Sequence, residues 1–148
     1  MPNTKYCFTG ETKVEFGVTL KRIRALVSFG AVVAGDVGGW LMSDINLAHE
    51  GDAWVYRNAR VYGDARVSGD ADFLLIGPLG SRRDHLCIHA DLKLGVRFTT
   101  GCFSGTELQL KEAIQQTHGD NKYAKQYRAA IKFAALVVRP AKVEVENV

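Results

Sequence analysis

Residues Gly51–Phe73 read GDAWVYRNARVYGDARVSGDADF, a stretch that repeats itself every six residues. One slot of the repeat holds a bulky apolar residue, at Val55, Val61, Val67 and Phe73, and a second slot holds alanine, at Ala53, Ala59, Ala65 and Ala71. Asp or Asn precedes each alanine, and the register extends back to Val37, with Ser43 and His49 in the bulky slot. A hexapeptide period predicts a parallel β-helix, in which each hexad supplies one short strand and one corner.

This pattern resembles the left-handed β-helix of the hexapeptide-repeat proteins. Three hexads complete one triangular coil, so residues eighteen apart are expected to stack: Val37 on Val55 on Phe73, Ser43 on Val61, and His49 on Val67. The resemblance implies a trimer, since members of the family assemble about an axis parallel to the coil. A prism this short also buries little core by itself, and we therefore expect a homo-oligomer.

The chain outside the hexads contains both strand and helix signals. Val18–Leu26 predicts a strand that leads into the β-helix, whereas His85–His89 and Leu92–Thr99 alternate in polarity and predict a hairpin. A capping box from Ser104 to Glu107 predicts a helix ending at His118-Gly119, and a second helix is expected from Asp120 or Asn121 to Pro140. The final residues, Val143–Val148, predict a short strand or a loose tail.

The predicted fold is therefore mainly β with an appended α+β part: a short left-handed parallel β-helix over Val37–Phe73, followed by a β-hairpin and two helices. Residues 1–76 form the first part and residues 77–148 the second, within one domain. The chain has, in order, the β-helix, a Gly-Pro-x-Gly-Ser-Arg loop at residues 77–82, the hairpin, Gly-Cys-Phe-x-Gly at residues 101–105 and Thr-His-Gly-Asp-Asn-x-Tyr at residues 117–123. This order is similar to that of small uncharacterised bacteriophage proteins. That resemblance implies a phage accessory protein rather than a host metabolic enzyme.

Composition limits the classes of partner. The chain has 148 residues and a formal net charge of +3, with its Lys and Arg residues dispersed. Such a distribution disfavours sequence-specific or non-specific nucleic-acid binding but permits a local anion site. The three cysteines, Cys7, Cys87 and Cys102, have no CxxC spacing, which predicts a reducing compartment. No apolar stretch reaches the roughly 18 residues of a membrane span, so the host cell cytosol is the expected location.

The segment Gly77–Arg83, GPLGSRR, is the strongest candidate site. Its glycines allow a ligand to approach the backbone, the Ser81 hydroxyl can donate to an oxyanion, and Arg82 and Arg83 supply charge with bidentate geometry. The spacing matches neither a Walker A loop nor a dinucleotide fingerprint. The alternative interpretation is a plain surface connector.

Ligand-type side chains also concentrate at the boundary between the two predicted helices, at His118, Asn121, Lys122 and Tyr123. Free amides at a helix start can face an anion. The alternative is an ordinary interhelical turn capped by Asp120 or Asn121. Arg97 on the hairpin, and Arg22 and Arg24 on one face of the N-terminal strand, complete the candidate ligand-binding set, although the last two are also explained as solvated charges.

His85, Cys87 and His89 would point to one side of a strand, a pattern that invites a metal interpretation. Further ligands at suitable spacing are not evident in the sequence, and alternation of polar residues along a strand explains the pattern. We predict no metal and no cofactor.

The leading hypothesis is an oligomeric, non-catalytic protein that sequesters an anionic nucleotide-like small molecule. In a phage protein, the molecule would be a signal of host immunity, such as an ADP-ribose derivative or a cyclic dinucleotide. Two alternatives stay open: a hexapeptide-type acyltransferase, which would need a histidine base on a projecting loop, and a structural or protein-binding inhibitor of a host protein.

Overall fold

The computed structural model describes residues 3–69 and 72–141. The chain divides into two units, Met1–Asp70 (unit 1) and Ala71–Val148 (unit 2), and each unit contains a four-stranded sheet. The coarse prediction of a mainly β chain with two helices is confirmed. The predicted strand or tail at Val143–Val148 lies outside the described residues.

Unit 1 is built on strands β1 (Tyr6–Glu15), β2 (Val18–Ala25), β3 (Val37–Leu41) and β4 (Arg60–Val61), which lie in the order β1-β2-β3-β4. β1 pairs antiparallel with β2, and β2 pairs antiparallel with β3. A single 3₁₀ turn, Asp44–Asn46, follows β3 and is capped by the side chain of Ser43.

The prediction of a left-handed parallel β-helix is wrong, and with it the resemblance to hexapeptide-repeat proteins in their bacteriophage form. Within residues 3–69, parallel pairing is confined to Trp40 and Leu41 against Arg60 and Val61, and to an isolated bridge between Leu47 and Val67. These partners are twenty residues apart, not eighteen. The rest of the sheet is antiparallel, a topology that no β-helix has.

The predicted stacks fail for identifiable reasons. Val37 is 46% exposed at the start of β3, so it does not lie in an interior column. Leu41 occupies the place expected for Ser43 opposite Val61, and Leu47 the place expected for His49 opposite Val67. Phe73 lies in a strand of unit 2, where it pairs with His89.

The hexads nevertheless turn their apolar slots inward. The side chains of both series are almost fully buried from Ala53 to Val67: Ala53, Val55, Ala59, Val61, Ala65 and Val67. Few of their backbone groups belong to a strand, and several bond instead to β3 and the turn after it. Gly39 N donates to Val55 O at 2.8 Å and Ala48 N to Val67 O at 2.8 Å. The hexads therefore pack as a covering segment on one edge of the sheet.

Gly38 and Gly39 make this packing possible. A Cβ atom at Gly38 would lie 2.6 Å from Val55 O and 2.6 Å from Trp54 Cζ2, and one at Gly39 would lie 2.6 Å from Ala59 O. Real Cβ atoms do not approach backbone oxygens so closely, and only glycine fits at both positions. The glycine pair that predicts a tight corner in the sequence is in fact a site of close backbone approach.

Lys5 is a buried cation in unit 1, with 4% of its surface exposed. Its Nζ donates to Ala53 O at 2.6 Å, to Ala48 O at 3.2 Å and to Glu50 O at 3.5 Å, and it lies 4.9 Å from the centroid of the Phe29 ring. Burial lowers the pKa of this ammonium, against the opposing effect of the Asp52 carboxylate. Three carbonyl acceptors thus compensate a charge that would otherwise be costly to bury.

We expect Gly38→Ala to destabilise unit 1 by about 1–3 kcal/mol, because the added methyl forces the Val55 carbonyl and the Trp54 ring to move. Gly69→Ala is the matched control, since a Cβ at Gly69 meets no atom within 4 Å. Denaturant melts of the two variants and the wild type measure the difference. Equal midpoints for Gly38→Ala and Gly69→Ala would contradict the packing described here.

Unit 2 contains strands β5 (Phe73–Leu79), β6 (Asp84–Asp91), β7 (Gly95–Thr100) and β8 (Phe103–Gly105), followed by helices α1 (Glu107–His118) and α2 (Lys122–Val137). The sheet is an antiparallel meander in chain order. The capping box of α1 joins Thr106 to Gln109, not Ser104 to Glu107, because Ser104 belongs to β8. Asn121 caps α2, as its sequence suggests.

The core of unit 2 lies between the sheet and the two helices. Leu86, Ile88 and Phe98 of the sheet pack with Leu110 and Ile114 of α1. Small side chains of α2 complete the layer at Ala124, Ala130 and Ala134, along with Ile131. Alanines at these positions allow the helix backbone to approach the sheet closely.

His89 of β6 is fully buried, and burial lowers its pKa to about 4. The unfolded chain, with an ordinary histidine pKa of about 6.5, binds this proton at a higher pH than the folded chain does. The free energy of unfolding should therefore fall as the pH drops from about 6.5 to about 4, by roughly 3 kcal/mol from this group. Thermal melts across this pH range measure the slope.

The His89→Gln variant should lose most of that slope. His85→Gln is the matched control on the same strand, because the His85 side chain is only partly buried, and its slope should equal that of the wild type. A slope that survives in His89→Gln would show that other groups cause it.

Candidate functional site

A cleft of about 270 Å³ opens in unit 2 where two turns of the sheet meet the facing ends of the helices. The turn between β5 and β6 contributes Ser81 and Arg82, and the turn between β7 and β8 contributes Gly101 and Cys102. α1 contributes Thr117 and His118 from its last turn, and α2 contributes Tyr127. Two predicted candidates, the glycine-rich loop and the end of the first helix, thus line the same cleft.

The β5–β6 turn is fixed against α2. Gly80 N donates to Gln126 Oε1 at 2.8 Å, and Arg83 N donates to Gly80 O at 3.2 Å to close the turn. Gly80 has φ +77°, and a Cβ there would collide with the Tyr127 hydroxyl. The sequence Gly80-Ser81-Arg82 therefore holds a defined position beside the tyrosine, which only glycine at position 80 permits.

Arg82 extends from this turn towards the β7–β8 turn. Its Nη1 lies 3.7 Å from the place that a Cβ would occupy on Gly101. The side chain is exposed, and among the residues that the structure describes its guanidinium has no hydrogen bond or ion pair. A guanidinium in this state offers five donors in a planar fork, suited to a phosphate or a carboxylate.

Asp84, at the start of β6, lies on the same side of the cleft. Its Oδ2 accepts from Gly101 N at 3.2 Å, and its Oδ1 accepts from His85 N at 2.7 Å. The carboxylate thereby holds the β7–β8 turn in place. It also puts a fixed negative charge near the positive charge of Arg82.

Aromatic rings form another wall of the cleft. The His118 ring stacks on the Tyr127 ring, with centroids 6.1 Å apart and planes 17° from parallel. His118 also contacts Tyr123, at 5.6 Å between centroids. His118 is the last residue of α1, and Gly119 ends that helix with φ +59°, so helix termination determines where the imidazole lies.

The other candidates of the helix boundary lie beside the cleft. Asn121 caps α2, and its Oδ1 accepts from Tyr123 N and Ala124 N, both at 3.0 Å. Lys122 Nζ lies 5.2 Å from the centroid of the Tyr123 ring. Arg83 is exposed in the β5–β6 turn, with φ +50°, and does not line the cleft. Of the two adjacent arginines, Arg82 therefore lines the cleft and Arg83 does not.

Arg97 is engaged within the sheet. Its Nε donates to Asp91 Oδ2 at 3.2 Å and its Nη1 to Ser104 Oγ at 3.0 Å. Burial raises the pKa of Asp91, but hydrogen bonds from the amides of Leu94 and Lys93, together with the Arg97 guanidinium, outweigh burial and hold the pKa below its usual range. This pair stabilises the β6–β7 turn.

Arg22 and Arg24 belong to β2 in unit 1. Arg22 Nε donates to Gly38 O at 3.0 Å, and its guanidinium lies 5.1 Å from the centroid of the Trp40 ring, so this arginine connects β2 to β3. Arg24 is exposed, opposite Cys7 in β1. Arg22 is thus engaged by β3, whereas Arg24 faces solvent.

Sequence reasoning missed three parts of the cleft: Asp84, Tyr127 and the β7–β8 turn. Tyr127 follows Tyr123 by four residues on α2, a spacing that puts both rings on one helix face. That signal could have placed Tyr127 beside His118. Asp84 and the Gly101-Cys102 turn reach the cleft through the pairing of β6 with β7; the alternating sequence predicts this hairpin but not its register.

Within residues 3–69 and 72–141, no group of three or more His, Cys, Asp and Glu side chains could hold a metal ion. No helix in the described part of the chain is long and apolar enough to cross a membrane.

Comparison with known proteins gives no match. No family model fits the chain, and no curated protein and no solved structure is significantly similar to it.

Proposed function

We propose that this protein binds an anionic, nucleotide-like small molecule in the unit 2 cleft and holds it without converting it. One observation carries the proposal: a guanidinium without a protein partner among the described residues and a stacked pair of aromatic rings line the same cleft. The two features match the two ends of a nucleotide, which has an anionic phosphate and a planar base.

The phosphate end is assigned to the β5–β6 turn. Arg82 supplies the charge, and the exposed Ser81 hydroxyl supplies a neutral donor one residue away. Charge-assisted hydrogen bonds from a guanidinium are short and roughly twice as strong as neutral ones. Because the turn is already fixed on Gln126, ordering it on binding costs little.

The planar end is assigned to the rings of His118 and Tyr127. Stacking of a base on an aromatic side chain contributes about 1–3 kcal/mol and tolerates different bases, since every base has a π face. Phe103 and Leu110 add apolar surface to the lining. A few placed polar groups among apolar and aromatic walls is the usual composition of a small-molecule site.

Capture is proposed in preference to turnover because of how the nucleophilic groups are arranged. Covalent catalysis generally requires a nucleophile within hydrogen-bond reach of a base. Ser81, Cys102, Thr117 and His118 line the cleft, and in the described residues His118 makes no hydrogen bond to any of the other three.

The wider expectations came from the two resemblances. A trimer and an acyltransferase activity were inferred from the hexapeptide-repeat proteins, whose fold the chain does not have, and a phage accessory role against host immunity from the order of elements and loop motifs. They stay predictions, and the proposal does not use them. Direct inhibition of a host protein stays as the alternative if no small molecule binds.

We expect Arg82→Ala to weaken nucleotide binding by about ten- to a hundredfold, the equivalent of roughly 1.5–3 kcal/mol for a charge-assisted contact. Arg83→Ala is the matched control, because Arg83 neighbours Arg82 and is equally exposed but does not line the cleft. Neither change should alter the melting temperature of the free protein, since exposed charges contribute little to stability.

The measurement is a thermal-shift screen of mononucleotides, ADP-ribose, cyclic ADP-ribose, cyclic dinucleotides and coenzyme A, followed by calorimetric titration of any that stabilise the protein. A bound nucleotide should be recovered intact after heat denaturation. Recovery of a cleaved product would make the protein an enzyme. If no nucleotide shifts the transition, the proposal fails.

A further inference from the structure

The charged groups that line the cleft are few. Arg82 and Asp84 are the two lining residues with full charges at neutral pH, and their formal charges cancel. Both lie beside Gly101: Arg82 Nη1 is 3.7 Å, and Asp84 Oδ2 3.9 Å, from the position of a Cβ on that residue. Any anion that contacts Arg82 is therefore also near a carboxylate.

This carboxylate is fixed. Asp84 accepts hydrogen bonds from two backbone amides, those of Gly101 and His85, and therefore cannot turn away when a ligand enters. One phosphoryl group can be met by the Arg82 guanidinium. A second would lie in a site whose only other full charge is negative, and like charges placed together at a binding surface are a common means of rejecting a wrong ligand.

Among the residues that the structure describes, no arginine or lysine other than Arg82 lines the cleft. Arg128 bonds to Asp120 Oδ1 at 3.0 Å, to Gln115 Oε1 at 2.9 Å and to Gly119 O at 2.9 Å. Arg97 is held by Asp91 and Ser104. Arg83 lies on the β5–β6 turn but outside the lining.

The size of the cleft also favours a ligand with a single phosphoryl group. Its volume of about 270 Å³ is slightly below the usual range for ligand pockets, which is about 300–1,000 Å³. Such a volume holds one base and its ribose phosphate. A dinucleotide or a long polyphosphate chain would extend into solvent.

Resting on the proposed function, we infer that the cleft selects a mononucleotide with a single phosphoryl group, and that Asp84 causes it to reject diphosphates and triphosphates. Arg82 attracts the first phosphate, and Asp84 opposes every further one. Asp84 is thus a specificity residue for the site as well as an anchor of the β7–β8 turn.

The experiment is calorimetric titration of the full chain with adenosine, AMP, ADP, ATP and inorganic phosphate, and with the matching guanosine series, at low ionic strength and without divalent cations. AMP or GMP should bind at least tenfold more tightly than its triphosphate and than inorganic phosphate. The nucleoside alone should bind about tenfold more weakly than the monophosphate, because it lacks the contact with Arg82.

Asp84→Asn should raise triphosphate affinity by about tenfold relative to that of the monophosphate. Its single amide oxygen can still accept from Gly101 N, whereas its NH2 group cannot accept from His85 N. If this variant does not fold, the wild type provides the second measurement: raising the salt concentration should narrow the difference between monophosphate and triphosphate, because salt screens the repulsion.

Each outcome decides between the two ideas. A triphosphate that binds the wild type as tightly as the monophosphate overturns the selectivity but leaves the proposed function standing. If inorganic phosphate binds as tightly as AMP and GMP, the nucleoside contributes nothing to affinity and the inferred selection of a mononucleotide is wrong. If neither series binds, the inference fails, whereas the proposed function fails only if ADP-ribose, the cyclic nucleotides and coenzyme A do not bind either.

Discussion

The approach of two backbones across Gly38 and Gly39 determines how unit 1 is assembled. Two glycines without side chains let β3 come within hydrogen-bond distance of the segment that follows Ala53, and Gly39 N and Trp40 N donate to Val55 O and Ala59 O. The hexad segment has few strand partners of its own. Burying its valines and alanines also buries the backbone carbonyl groups next to them. β3 donates hydrogen bonds to part of these carbonyls, which makes the burial possible.

In unit 2 a glycine again permits a close approach, here between the β5–β6 turn and α2. Gly80 allows the Tyr127 hydroxyl to lie against the β5–β6 turn, and the Gln126 side chain bonds the amide of that glycine. A turn held in this way presents Arg82 from a fixed base. The long arginine side chain stays exposed, while the residues around it are ordered by bonds that do not depend on a ligand.

From Ala53 to Val67 the hexad period predicted which side chains are buried, but it gave the wrong packing partners for them. A six-residue spacing fixes the face that points inward, and Val55, Val61 and Val67 are indeed buried. It does not fix the partner strand. Each pair of facing positions is separated by twenty residues, so Leu41 and Leu47 face Val61 and Val67.

For the site, local signals were sufficient where the local chain decides the geometry: a glycine-rich turn, a helix that ends at a histidine, an asparagine cap. They failed for Arg97 and Arg22, because residue type does not reveal whether a cation has an acceptor inside the protein. Asp91 and the Gly38 carbonyl are those acceptors, and both meet their arginines through strand pairing.

The carbonyl cage around Lys5 has a consequence for labelling chemistry. Only a free, deprotonated amine can attack an acylating reagent and displace its leaving group, and this Nζ is enclosed by Ala53, Ala48 and Glu50 oxygens beneath the Phe29 ring. Exposed lysines should be acylated quickly and Lys5 only when the N-terminal strand separates from residues 48–53. The rate of Lys5 acylation thus measures how often unit 1 opens locally.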